Sequence, residues 1–165
     1  MPRFRKIAPS IWADEKFNSL STEAKLTFFY LLTNPNISPI GVLSKNSCIL
    51  SVEMKKFIKP VTRRFACCLQ EIYQRKMAIV DEENIIIWLP NYLKYNPPIN
   101  PNIVRYWKTS YNEIPECELK KQIGMHIREY LKKYDTRFHD IFVSETTKPN
   151  PENLIRGLAD KYRIR

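Results

Sequence analysis

Glycine is scarce in this chain of 165 residues, with Gly41, Gly124 and Gly157 the only three. Three scattered glycines cannot build a Gly-rich loop around a phosphate chain, so a nucleotide-cradling loop is excluded. Catalytic side chains are equally thin. His126 and His139 are the only histidines, and neither has a paired carboxylate, serine or cysteine in a nucleophile motif beside it. The chain is therefore expected not to be an enzyme. The four cysteines, Cys48, Cys67, Cys68 and Cys117, include an adjacent pair and no C-x-x-C spacing, so neither a disulfide framework nor a zinc site is indicated. They read as reduced, mostly buried thiols. The acidic runs Asp14-Glu15 and Asp81-Glu82-Glu83 read as solvated loops, and no metal or cofactor is expected. No stretch approaches the roughly eighteen uncharged apolar residues of a membrane span, and Met1 to Lys6 leads into no apolar signal core. A soluble protein of the cytoplasm, without a membrane partner, is the expectation.

What the chain has in abundance is positive charge. Lys and Arg number 27 against 17 Asp and Glu, a net +10, which attracts polyanions through phosphate neutralisation and counterion release. Nucleic acid leads as partner class. The charge is uneven: Gly41 to Val80 holds eight cations (Lys45, Lys55, Lys56, Lys59, Arg63, Arg64, Arg75, Lys76) against Glu53 and Glu71, an excess of 8 − 2 = +6. The acids Asp81, Glu82 and Glu83 follow at once and disfavour laying that turn against a phosphate backbone. A hydrophobic content of 44% is enough for one core of ordinary domain size.

Hydrophobic periodicity places the elements. Ser21 is a plausible N-cap for a helix through Leu32, stopped by Asn34 and Pro35. Gly41-Val42-Leu43 reads as a short strand and Asn46 to Met54 as a weakly periodic helix. Pro60 opens the next helix, Lys59 to Arg75, where Val61, Phe65, Cys68, Leu69 and Ile72 recur on one face and Arg63, Arg64, Gln70 and Gln74 on the other. Met77 to Val80 and Ile85 to Leu89, around a turn at Asp81 to Asn84, read as a two-stranded hairpin. Helix, strand, helix, helix and hairpin make a winged helix-turn-helix. Trp88 to Asn102 (WLPNYLKYNPPINPN) follows as a proline-broken aromatic tract, then helices over Ile103 to Tyr111 and Pro115 to Lys133. Ser144 to Pro151 reads as a linker, and Glu152 to Tyr162 as a short terminal helix. The fold class is thus α+β, mostly helical: a winged helix-turn-helix with a two-stranded wing and additional C-terminal helices. It divides into a winged-helix domain with an N-terminal arm over 1–102, a helical extension packed on it over 103–143, and a linker with a terminal helix over 144–165.

DNA contacts follow from this layout. Lys59, Thr62, Arg63 and Arg64 start the third helix, where Arg reaches base edges in the major groove and Lys the backbone; the bland alternative is a solvated helix face. Lys55 and Lys56 are phosphate contacts at the preceding turn. Arg3, Arg5 and Lys6 around Phe4 read either as a flexible arm reaching a minor groove or phosphate, or as an ordinary charged terminus. Tyr92 and Tyr95 beside Lys94 have rings able to stack on unpaired bases, but rings next to a hairpin more often close a core.

Four stretches carry a family resemblance. They are Phe4-Arg5-Lys6-Ile7 with Ile11-Trp12 and Lys16-Phe17, Leu20-Ser21 through Tyr30-Leu31-Leu32-Thr33, Trp88 to Asn102, and Asn112-Glu113-Ile114-Pro115-Glu116-Cys117. From Phe4 to about Phe142 the chain resembles the N-terminal winged-helix domain of phage replisome organisers and related replication initiators. The resemblance implies a phage or prophage protein acting in a bacterial host cell, origin binding through Lys59 to Arg75, and a separate C-terminal part engaging a helicase or its loader. Self-association is also expected, since one winged helix contacts few base pairs. Two rivals remain open: a protein-binding adaptor or inhibitor that uses the winged helix as scaffold, docking a partner through Pro115 to Lys133 or Glu152 to Tyr162, and a transcriptional regulator sharing the DNA chemistry.

Overall fold

The computed structural model describes residues 5–55 and 61–144, and of residues 61–63 the backbone alone. Local chemistry explains most of the element boundaries. A 3-10 turn at Pro9–Ala13 leads into a one-turn helix α1 (Glu15–Asn18), capped by the Asp14 carboxylate accepting from the Phe17 N–H at 3.0 Å. Helix α2 (Thr22–Thr33) starts at Ser21, whose Oγ accepts from the Ala24 N–H, and ends where Pro35 forces Asn34 out of the helical region (ψ 132°). The strand β1 (Val42–Leu43) precedes α3 (Ser47–Met54), capped by Asn46, and α4 (Val61–Gln74) follows residues 56–60. Strands β2 (Ile79–Asp81) and β3 (Ile86–Trp88) form the hairpin. Then come a single turn α5 (Tyr92–Tyr95), α6 (Pro101–Asn112) with Pro101 at its start and Asn100 as cap, α7 (Glu118–Tyr134), and α8 (Thr136–Val143) capped by Asp135.

The three strands make one antiparallel sheet in the order β1-β3-β2, with Val42 opposite Trp88 and Leu43 opposite Ile87 on one side, and Val80 opposite Ile87 on the other. Successive side chains alternate between the two faces, and both faces are covered. Leu43, Ile87 and Leu89 join Phe17, Phe28, Leu31, Leu50, Phe65, Leu69 and Ile72 in a core under α2, α3 and α4. Val42, Ile86 and Trp88 join Val104, Trp107, Ile123, Ile127, Leu131 and Phe142 in a second core under α6, α7 and α8. Burial on two faces accounts for the continuous apolar run of Ile86 to Leu89, which a one-sided hairpin would not need. It also seats Trp88, whose ring meets His126 of α7 edge-on at 5.2 Å.

Two glycines are required by close approach. Gly41 has φ +76°, and a Cβ there would meet Tyr92 Cβ at 2.5 Å. Gly124 lets α7 pass the Tyr111 ring, since a Cβ would sit 2.6 Å from its hydroxyl.

Several sequence expectations need correction. The hairpin turn lies one residue further on, because Asp81 pairs with Ile86 in the ladder and Ile85 leaves β3 for a left-handed φ of +59°, unusual for a β-branched residue. The expected short strand β1 pairs with β3 of the expected two-stranded hairpin, which makes a three-stranded sheet. Pro115 and Glu116 lie before α7, not in it, because the extended Cys117 (φ −154°) caps the helix with its Sγ accepting from the Lys120 N–H. The aromatic tract is not all loop: α5 fits between Pro90 and Pro97, and Pro101 opens α6. The thiols are not mostly buried: Cys48 and Cys67 are exposed on outward helix faces, Cys117 is half-buried, and only Cys68 is buried. The linker beyond Ser144 and the terminal helix at Glu152 to Tyr162 lie outside the described residues.

Candidate nucleic-acid interface

Helix α4 is strongly amphipathic, and its apolar stripe decides its orientation. Phe65, Cys68, Leu69 and Ile72 face the core, which leaves Arg64, Ala66, Cys67, Gln70 and Gln74 exposed. Burial pushes the Cys68 thiol pKa up. Below this face the helix is tied down by polar contacts. The Glu71 carboxylate accepts from both the N–H and the hydroxyl of Ser21, each at 2.9 Å, and so anchors the start of α2. The Arg75 guanidinium donates to the Ser19 hydroxyl at 2.5 Å and the Ser19 carbonyl at 2.8 Å.

The fate of the basic residues differs from what their number suggests. Lys45 pairs with Glu53 at 2.5 Å, and the Tyr30 hydroxyl donates to the same carboxylate. The Lys45 hydrogen bond is the main reason the Glu53 pKa is lowered, while burial and then Glu53 raise that of Tyr30. Arg64 Nη1 lies 3.0 Å from Glu23 Oε1 of α2, both side chains about half exposed. With Arg75 engaged at Ser19, three of the five cations of the basic segment whose side chains are described have protein partners. Lys55, the C-cap of α3, and Lys76 are exposed without a side-chain partner among the described residues. Lys56 and Lys59, and the side chains of Thr62 and Arg63, lie outside what is described, as does Arg3. Of the expected DNA contacts, the structure thus brings Lys55 and Arg64 to the two ends of the α3–α4 connection.

The N-terminal residues are not there with them. Arg5 Nη2 donates to the Ile37 carbonyl at 3.0 Å, and the Lys6 N–H to Asn96 Oδ1 at 3.3 Å, so residues 5 and 6 are docked on the body and not a free arm. Lys6 keeps its side chain exposed. The hairpin turn is held by Asp81, whose carboxylate accepts from the Asn84 N–H (2.9 Å) and side-chain amide (2.8 Å); the backbone contact leads in lowering its pKa. Glu82 and Glu83 are exposed on that turn, which makes its tip anionic. Tyr92 is buried in the core and closes over Gly41, so the structural alternative holds for it; Tyr95 is half-buried with Lys94 over its ring at 5.3 Å.

Sequence reasoning did not foresee an apolar patch on the outward face of α3, where Ile49 and Val52 are 48% and 69% exposed. Weak periodicity in Asn46 to Met54 was the available signal: a helix with apolar residues on more than one face leaves some of them in water. Comparison with protein-family models, curated proteins and solved structures found no match. No described helix is long and apolar enough to cross a membrane, and no described group of His, Cys, Asp and Glu is placed to hold a metal ion.

Proposed function

We propose that this chain is a non-enzymatic, winged-helix DNA-binding protein of phage or prophage replication initiation, with α4 as the helix presented to duplex DNA. The observation that carries the reading is the outward face of α4. It is polar, bears Arg64, and begins at the α3–α4 connection where the basic excess of the sequence is concentrated. The element order α2-β1-α3-α4-β2-β3 and the strand order β1-β3-β2 support it, since they set a helix pair beside a small sheet. An exposed ion pair such as Arg64–Glu23 is worth little in water, so Arg64 can exchange that carboxylate for a phosphate or a base edge at small cost. The anionic tip at Glu82 and Glu83 moves the wing's part in this reading away from its tip, leaving α4 and Lys55 as the main contacts. A helicase or its loader is the partner that the family resemblance adds, and a second copy of the chain is the partner that follows from the few base pairs one winged helix contacts.

The test is fluorescence anisotropy of labelled duplex and single-stranded DNA across a salt series. Affinity is expected to fall steeply with salt, and to drop at least about tenfold in the Arg63→Glu/Arg64→Glu double variant. Glu23→Gln, which removes the carboxylate beside Arg64, is expected to tighten binding about two- to fivefold. Unchanged affinity in the double variant would remove α4 from the interface.

The exposed Ile49 and Val52 and the acidic hairpin turn favour a second reading as a protein-binding adaptor. Binding driven by that apolar face would vary little with salt. No DNA binding even at low salt would move the assignment to it.

A further inference from the structure

We infer that the C-terminal helical layer holds an anion site for a phosphate group, built from Lys108 and Arg128 and separate from the α4 face. Between the last turn of α6, the middle of α7 and the end of α8 lies an open depression of about 340 Å³. Lys108, Tyr111 and Asn112 line it from α6, Arg128 from α7 and Ser144 from the end of α8, and no carboxylate is among its described lining residues.

Lys108 is the unusual member. Its Nζ is closed off from solvent and has no hydrogen-bond partner among the described residues. An ammonium that has given up water without gaining an acceptor is destabilised, and an arriving anion relieves it. Lys120, a buried lysine of this layer, shows what a satisfied ammonium looks like here. Lys120 Nζ donates to the Ile114 carbonyl and to Glu116 Oε1, both at 2.6 Å, and lies over the Tyr111 ring. Lys108 has none of these. Arg128 is exposed and likewise without a partner among the described residues, and its planar guanidinium suits two oxygens of one tetrahedral anion. The flexible stem of Lys108 lets the ammonium swing up to the same anion.

Two features of the fold oppose an anion. The C-terminal ends of α6 and α8 both border the depression, and a helix C-terminus carries roughly half a negative charge. Two full positive charges outweigh them. Phe142, which also lines the depression, belongs to the core on the α6–α8 side of the sheet, so this site and the α4 face lie on opposite sides of β1-β3-β2. A phosphate here comes either from a free phosphorylated small molecule or from the backbone of a nucleic acid, and the two sources share one recognition chemistry.

The full chain should be titrated at low salt with inorganic phosphate, and separately with a short oligonucleotide, by calorimetry. Wild type, Lys108→Met and Arg128→Gln are compared, with far-UV circular dichroism to check that each variant folds. Saturable phosphate binding that weakens at least tenfold in both variants establishes the site and a small-molecule source. Oligonucleotide binding that weakens by the same factor in both, with inorganic phosphate inert, establishes the site and a nucleic-acid source. Lys108→Met keeps the length of the stem, so loss of binding in a folded variant reports charge, not packing. Phosphate and oligonucleotide affinities that are both absent, or both unchanged in folded variants, overturn the proposal. The Arg63→Glu/Arg64→Glu variant should leave phosphate binding intact, so failure of the α4 reading and failure of this one are distinguishable.

Discussion

The two layers that cover the sheet each pair some of their cations and leave others without a side-chain partner among the described residues. On the α2–α4 side, Lys45 meets Glu53 of α3, and Arg64 and Arg75 tie α4 and its end to Glu23 of α2 and to Ser19, while Lys55 and Lys76 have no side-chain partner among the described residues. On the α6–α8 side Lys120 meets Glu116 and the Ile114 carbonyl, Lys121 meets Glu118 and Arg137 meets Asp135, while Lys108 and Arg128 stay without partners among the described residues. The lesson is that local charge excess does not map onto free charge. The segment richest in Lys and Arg engages several of them internally, and a less conspicuous pair in the other layer is left to act on a ligand.

Removing one large side chain from each layer tests whether the layers are one folding unit. Phe65→Ala and Trp107→Ala, at sites 1% exposed, are each expected to cost about 3–5 kcal/mol in urea unfolding. Because β1 and β3 supply residues to both cores, each variant should lower a single shared transition. Two separate transitions would show that the layers fold independently and break the comparison.

The two constrained glycines, one beside each core, sharpen it. Gly41→Ala combines a left-handed backbone with a clash against Tyr92 and should destabilise by about 3 kcal/mol. Gly124→Ala meets only the Tyr111 ring and should cost less, about 1–2 kcal/mol, while displacing a residue that lines the Lys108 depression. Equal losses would mean that the backbone conformation at Gly41 carries no penalty.

The smallest effect belongs to the charge network itself. The folded-state pKa of Glu53 is lowered, chiefly by Lys45, so the network contributes stability above the ordinary carboxylate range and loses it as pH falls through the folded value. Glu53→Gln should therefore cost well under about 1 kcal/mol at neutral pH, discounted for its partial exposure, and nothing once the wild-type carboxyl is protonated. A deficit that persists in acid would assign the effect to packing around Tyr30 rather than to charge.

Much of the fold was legible because its signals are local. Ser21 and Pro35 bound α2, the apolar stripe of α4 states its inward face, and Ile86 to Trp88 could only be a buried strand. Of the proposed site, periodicity foretold only that Lys55 and Arg64 stand at helix ends. What was missed depends on contacts between residues far apart in the chain. Pairing of Asp81 with Ile86 moved the hairpin turn, and the capping of α7 passed to Cys117 because that residue takes an extended backbone. Arg5 docks on Ile37, 32 residues away, which no pattern around Met1 to Lys6 contains.

By itself the sequence determined the kind of protein this is: basic, poor in glycine, mostly helical with a small sheet, because composition and 3.6- and 2-residue periods set burial one element at a time. The tertiary structure alone decided that the sheet is covered on both faces, that Arg64 lies against Glu23, and that the ammonium of the half-buried Lys108 is shut from solvent without an acceptor among the described residues. The reason is that charge and hydrogen-bonding capacity belong to each residue, whereas whether they are satisfied depends on which distant residue the fold brings within about 3 Å.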